Sequence, residues 1–247
     1  MASTTRPNLL QARQTELPRG APFDIQTLRE LGISSALASH YLKAGWLVRL
    51  GRGVFMFPND NLQRDSCLKF LATQRPGLHV GGKTAVAWRG VRHNLSPREQ
   101  LSLWGDATGK LPEWFTSRFP ARYTAQRLFG RKLPSGFGLQ PLPETPAGPF
   151  VSVPERALLE LLSEVGVGQG IEKARNIMEG VRSLRAEVLT PLLKSCLLVK
   201  AVRLCVQWAE ELNLTWAVTA RQAAKRTSGR GRWTARLKDG TTLTLKP

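Results

Sequence analysis

The string with the clearest promise of chemistry is Gly77-Leu-His-Val-Gly-Gly82-Lys83-Thr84. It satisfies GxxxxGK[ST], a pattern whose backbone amides cradle phosphates while the lysine neutralises them. Such a loop must leave a buried apolar strand directly. Here Gly77 follows Thr73-Gln-Arg-Pro76, the polar end of a helical stretch and a proline, so the strand side fails. Leu101-Ser-Leu-Trp-Gly-Asp106 is a poor acidic strand for magnesium, because serine and glycine interrupt it. The expectation is a turn before a short helix. Gly166-Val-Gly168-Gln-Gly170 follows a helix rather than a strand and reads as a helix-helix connection.

Hydrolytic chemistry finds less support. The histidines His40, His79 and His93 show no spacing that suggests zinc or a nucleophile's base. The carboxylates Asp60, Asp65, Glu99, Asp106 and Glu113 form no Asp…Glu-x-Lys nuclease arrangement. A catalytic site should show clustered, convergent groups. No catalytic residue, metal site or cofactor is therefore expected, and the chain reads as non-enzymatic.

Binding chemistry is far better represented. Thirty-six Lys and Arg against eighteen Asp and Glu leave a net charge of +18, which points to a polyanion and first to nucleic acid. The charge is uneven: Val151 to Ala220 is balanced, whereas the tail from Arg221 holds a single acid, Asp239.

The elements that would position these charges begin at Phe23. Asp24 is a good N-cap for a helix through Leu31, Gly32 ends it, and Ser34 restarts a helix to Ala44 that stops at Gly45. Leu28 and Leu31 on the first helix, with Leu37, Tyr41 and Ala44 on the second, give each an inward face. After Gly45 the period shortens to that of strands, Gly51-Arg52-Gly53 turns the chain, and Val54 to Phe57 returns. This is the order of a winged helix-turn-helix. Trp46, Phe55 and Phe57 are assigned to the core of the wing.

A recognition helix presents its outward residues to the major groove. With Leu37 and Tyr41 inside, that set is Ser35, Ala38, Ser39 and Leu42, with Ser34 at the cap. Serine can bond to a base edge or a phosphate, and Ala38 could meet a thymine methyl. Lys43, Arg49 and Arg52 are placed for phosphates, with Arg52 at the wing tip able to enter a minor groove.

Beyond the wing the pattern is α+β. Leu62 to Thr73 and Lys83 to Arg89 read as helices, and Gln100 to Trp104 and Tyr123 to Phe129 as strands. The proline-rich stretch from Pro134 to Pro149 reads as a connection. Pro154 opens a helix, followed by helices around Ile171 to Arg182, Ala186 to Lys194 and Lys200 to Leu212. The end alternates as a closing hairpin, Arg232 to Leu237 and Thr241 to Leu245 around Asp239-Gly240. The fold class is thus an N-terminal winged helix-turn-helix, residues 1–59, followed by a larger mixed α+β domain, residues 60–247, with a helical second half. With no long apolar run, no apolar signal core and three unpaired-looking cysteines, the chain is expected to be cytoplasmic.

GISSALASHYLKAGWLVRLGRGVF, GLHVGGKTAVAWRGVRHNL, FVSVPERALLELLSEV and VKAVRLCVQWAEELNLTW, in that order, resemble the AbiEi-type antitoxin family of type IV toxin-antitoxin systems. The blocks span most of the chain. The resemblance implies a winged helix that represses the antitoxin-toxin operon on inverted repeats of double-stranded DNA. It also implies a C-terminal domain that counteracts a nucleotidyltransferase toxin in phage defence, and a glycine-rich turn and helix at Gly77–Thr84. The tail arginines, Arg230, Arg232 and Arg236, are less well covered and are candidates for a second contact with nucleic acid or toxin. The alternative is a winged-helix transcription factor with a sensing or dimerisation domain and no toxin partner.

Overall fold

The computed structural model describes residues 9–91, 100–229, 231–236 and 242–245. It opens with a short helix, α1 (Leu9–Ala12), and a 3-10 turn at Gln14–Glu16, neither legible from periodicity. The two-residue strand β1 (Phe23–Asp24) then leads into α2 (Ile25–Glu30). Asp24 caps that helix by accepting the Thr27 amide at 2.9 Å. Ser34 caps α3 (Ser35–Lys43) by accepting the Leu37 amide at 3.2 Å. Gly32 (φ 79°) and Gly45 (φ 74°) end the two helices in the left-handed region, where glycine has no side-chain penalty.

The wing is β2 (Val48–Gly51) and β3 (Val54–Met56), antiparallel, with a bulge between Arg49 and Gly51. β1 completes it in the order β1-β3-β2, with Phe23 opposite Phe55. Phe23, Leu28, Ile33, Tyr41, Leu47, Phe55 and Phe57 form one buried cluster beneath both helices and wing. α4 (Arg64–Gln74) follows, and the first compact unit comprises the chain up to Gln74 together with Leu111–Phe119.

The second unit takes Arg75–Lys110 and the chain from Pro120 on. It starts with β4 (His79–Val80), α5 (Gly82–Trp88) and β5 (Leu101–Gly105). The chain then supplies α6 (Glu113–Thr116) to the first unit, where Trp114 lies 6.3 Å from Phe70 between ring centroids. Back in the second unit come β6 (Ala121–Ala125), β7 (Leu139–Gln140) and β8 (Val151–Ser152). The five strands are ordered β6-β5-β4-β8-β7, with β5/β6 and β4/β8 parallel and the other pairs antiparallel.

α7 (Pro154–Ser163) starts on its proline and is buried on nearly all sides, as a helix at the centre of a core must be. Around it come α8 (Ile171–Glu179), α9 (Ala186–Ser195), α10 (Val199–Glu211) and α11 (Ala217–Ala224), and β9 (Trp233–Arg236) pairs with β10 (Thr242–Leu245). The hairpin is docked, since Leu245 is fully buried and its carbonyl accepts from Arg203 Nη1 at 3.3 Å. The Asp239-Gly240 turn lies outside the described residues.

The fold is mixed α+β with an N-terminal winged helix, as the pattern implied. Three local expectations shift. The strand expected over Tyr123–Phe129 is β6, which ends at Ala125, and Phe129 makes only an isolated bridge to Cys196. The proline-rich connection contributes β7, and α11 emerges where the rising charge of the tail had masked an alanine-rich helix. Cys67, Cys196 and Cys205 are buried free thiols. Burial pushes Cys67 up to about 12 and Cys196 to about 11, so both are poor nucleophiles. Among the described residues no helix is long and apolar enough to cross a membrane.

Candidate nucleic-acid interface

α3 turns its solvent face through Ser35, Ala36, Ser39, His40 and Lys43, all exposed, with Ser34 exposed at the cap. The hydroxyls are locally engaged rather than buried. Ser34 accepts from Leu37, Ser35 accepts from Arg29 Nη2 at 3.2 Å, and Ser39 donates to the Ser35 carbonyl at 2.9 Å. Such exposed bonds can be exchanged for phosphate or base contacts at little cost, because both ends already face water. On the wing, Arg49 and Arg52 are exposed, and Gly53 adopts φ 70° so that the tip can turn tightly behind Arg52.

Two residues assigned to the outward set lie elsewhere. Ala38 is 1% exposed and belongs to the core with Leu28, Ile33 and Tyr41, so its methyl faces protein rather than a groove. Leu42 is half-buried and packs on the same cluster. The inward seam of α3 is Ala38–Tyr41, flanked by Leu37 and Leu42, because the smallest side chain lets the helix sit close while the leucines cover the shoulders. The Leu37–Tyr41 pairing read from spacing was one step round the helix from this. Its consequence is that Ala36 and His40 join the outward face and Ala44 is exposed. Arg29, at the end of α2, reaches that face across the turn, a contact that no periodicity rule could signal.

Trp46 also departs from expectation. It is 42% exposed, covering Tyr41 at 5.5 Å and His40 at 6.3 Å between ring centroids, whereas Phe55 and Phe57 are buried as expected.

The string Gly77–Thr84 forms β4, a glycine turn and α5, and a protein carboxylate occupies its anion position. Glu160, on α7 and 1% exposed, accepts the Gly82 amide at 3.0 Å through Oε2. Ser152 Oγ donates to it at 2.9 Å, Arg156 Nε at 2.9 Å, and His79 Nε2 lies 2.9 Å from Oε1. His79 Nδ1 faces the Gly77 carbonyl at 2.7 Å. Both ring nitrogens thus face acceptors, and the set is complete when both carry hydrogen. Burial pushes the Glu160 carboxyl up, but the charge and hydrogen bond of His79, then those of Arg156, outweigh it and hold it at about 2. Gly81 is glycine for a steric reason, because a Cβ there would collide with Glu160 Oε2 and Trp104 Cδ1. Among the described residues no group of three or more His, Cys, Asp and Glu is placed to hold a metal ion.

Comparison with known proteins decides the family. Residues 6–97 match the model of the AbiEi antitoxin N-terminal domain of a transcriptional regulator, and residues 98–244 match that of the transcriptional regulator, AbiEi antitoxin, of type IV toxin-antitoxin systems. The chain belongs to the AbiEi antitoxin family. None of the curated proteins matches the sequence. Among solved structures, this AbiEi chain is similar in fold to the RV2827C protein from Mycobacterium tuberculosis, with a TM-score of 0.55 and 14% identity over 95% of this chain and 89% of that one.

Arg232 is exposed beside the hairpin, Arg236 stands opposite Thr242 in it, and Arg230 lies outside the described residues.

Proposed function

We propose that this antitoxin represses its own operon by binding operator inverted repeats through α3 and the wing, and that it neutralises a nucleotidyltransferase toxin in the cytoplasm without itself being an enzyme. DNA binding is assigned to residues 1–59 and antitoxin action to residues 60–247. The observation that carries the reading is the exposed, base-sized face Ser35, Ser39 and Lys43 beside the wing-tip Arg52, in a chain of this family. Ser34, Ser35 and Ser39 would bond to base edges or phosphates, and Lys43, Arg49 and Arg52 would bind phosphates. Arg230, Arg232 and Arg236 would add a second contact, with flanking DNA or the toxin.

Binding titrations on operator and random duplexes test the roles. Arg52→Ala should weaken binding to every duplex, while Ser39→Ala should act mainly on the operator, as phosphate and base contacts separate. Equal losses on both duplexes for both variants would sink the assignment. Co-expression with a nucleotidyltransferase toxin of a type IV system, from an unrelated promoter, tests neutralisation: the full-length Arg52→Ala variant should still rescue growth.

A further inference from the structure

A cleft of about 440 Å³ lies beside the Glu160 cluster, wholly within the second unit. Its lining comes from Gly77 and His79, from Trp104 to Asp106, from the stretch 126–135 after β6, and from Arg156 and Glu160 of α7. The carboxyl end of β5 and the segment just past β6, a parallel pair, both contribute. Ligands of open α/β sheets gather outside such strand ends, and the volume is that of a small-molecule site.

Its two acids are already paired, Glu160 with His79 and Arg156, and Asp106 with Arg127 at 3.2 Å. The spare charge is positive. Arg131 is exposed and has no ionic partner among the described residues, and Arg127 keeps the rest of its guanidinium. Arg156 uses Nε on Glu160 and Nη1 on the Ser135 and Phe137 carbonyls, leaving Nη2 without a partner among the described residues. A cleft whose spare charge sits on guanidinium groups suits an anion rich in acceptor oxygens. Donors from two separate elements exceed what one carboxylate's two oxygens can serve, whereas a phosphate monoester offers three oxygens and up to two charges. We propose that this cleft binds a small phosphate monoester of about nucleotide size. The proposal does not depend on the DNA or toxin assignments.

Calorimetric titration of the full-length protein at fixed ionic strength, with AMP, inorganic phosphate and citrate as probes, tests it. AMP should bind saturably at one site, inorganic phosphate should compete for it, and citrate should not displace it. Arg131→Ala and Arg127→Ala should each weaken AMP about tenfold or more while leaving Tm unchanged, and Lys173→Ala, exposed on α8, should leave AMP binding as it was. No saturable isotherm with AMP or phosphate up to about 10 mM overturns the proposal, as does binding of citrate alone. The proposal is equally overturned if no probe binds and each arginine variant lowers the salt slope of operator binding by about 0.9, since the arginines would then serve the DNA backbone.

Discussion

Glu160 places its carboxylate against the Gly82 amide, where the pattern GxxxxGK[ST] would bring a phosphate, and three further donors, from His79, Ser152 and Arg156, surround it. A carboxylate this buried is stable only while its partners stay charged and bonded. Glu160→Gln leaves Arg156 and His79 without their counter-ion in the core, and should cost about 3–5 kcal/mol in urea unfolding. A loss below about 1 kcal/mol would mean that the cluster relaxes or fills with water. The pH dependence has a definite sign. The folded carboxyl sits at about 2 against an ordinary value of 4.5, so its contribution is complete above about 4.5 and drains away as pH falls from there through about 2. The difference in unfolding free energy between wild type and Glu160→Gln should therefore shrink across that acid window. None of this could be read from the glycine string, because the acid arrives from Glu160, far along the chain and on another element.

At the scale of the element, α3 illustrates where sequence pattern stops. Asp24, Gly32, Ser34 and Gly45 mark helix ends by local chemistry, and the structure puts caps and left-handed glycines at those residues. The face of a helix is a subtler matter, since Leu37–Tyr41 and Ala38–Tyr41 both satisfy helical spacing. Packing chooses the second, because α3 approaches Leu28 and Ile33 most closely through a methyl. Ala38→Leu should therefore overpack the core and lower stability by about 1–3 kcal/mol, while Ala36→Leu on the exposed face should stay within about 0.5 kcal/mol. Thermal unfolding of both variants decides between the faces: an unchanged Tm for Ala38→Leu with altered operator preference would restore the outward placement. The proline-rich connection shows the same limit from the other side. Prolines excluded a long element there, yet Leu139–Gln140 still pairs with Val151–Ser152, and Arg89 donates to the Gln140, Val151 and Ser152 carbonyls, a tie that only the folded chain reveals.

At the scale of the whole molecule, a net charge of +18 exceeds what α3 and the wing require, and the excess is concentrated late in the chain. β9 and β10 are held by the buried Leu245 and by Arg203, so Arg236, in β9, stands on an anchored element. A cation on an anchored strand loses less freedom on meeting a polyanion than one on a flexible chain, which favours a contact role for Arg236 over simple solubility. The arithmetic of counterion release makes this testable, since each phosphate neutralised adds about 0.9 to the slope of log affinity against log salt. Reversing Arg230, Arg232 and Arg236 to Glu in the full-length protein should lower that slope by about two to three units if they bind DNA flanking the operator. If they bind the toxin instead, the slope should hold while growth rescue from an unrelated promoter fails. An unchanged slope together with full rescue would reduce the tail to a solvated surface, leaving α3, Arg49 and Arg52 to carry the whole electrostatic component of operator binding.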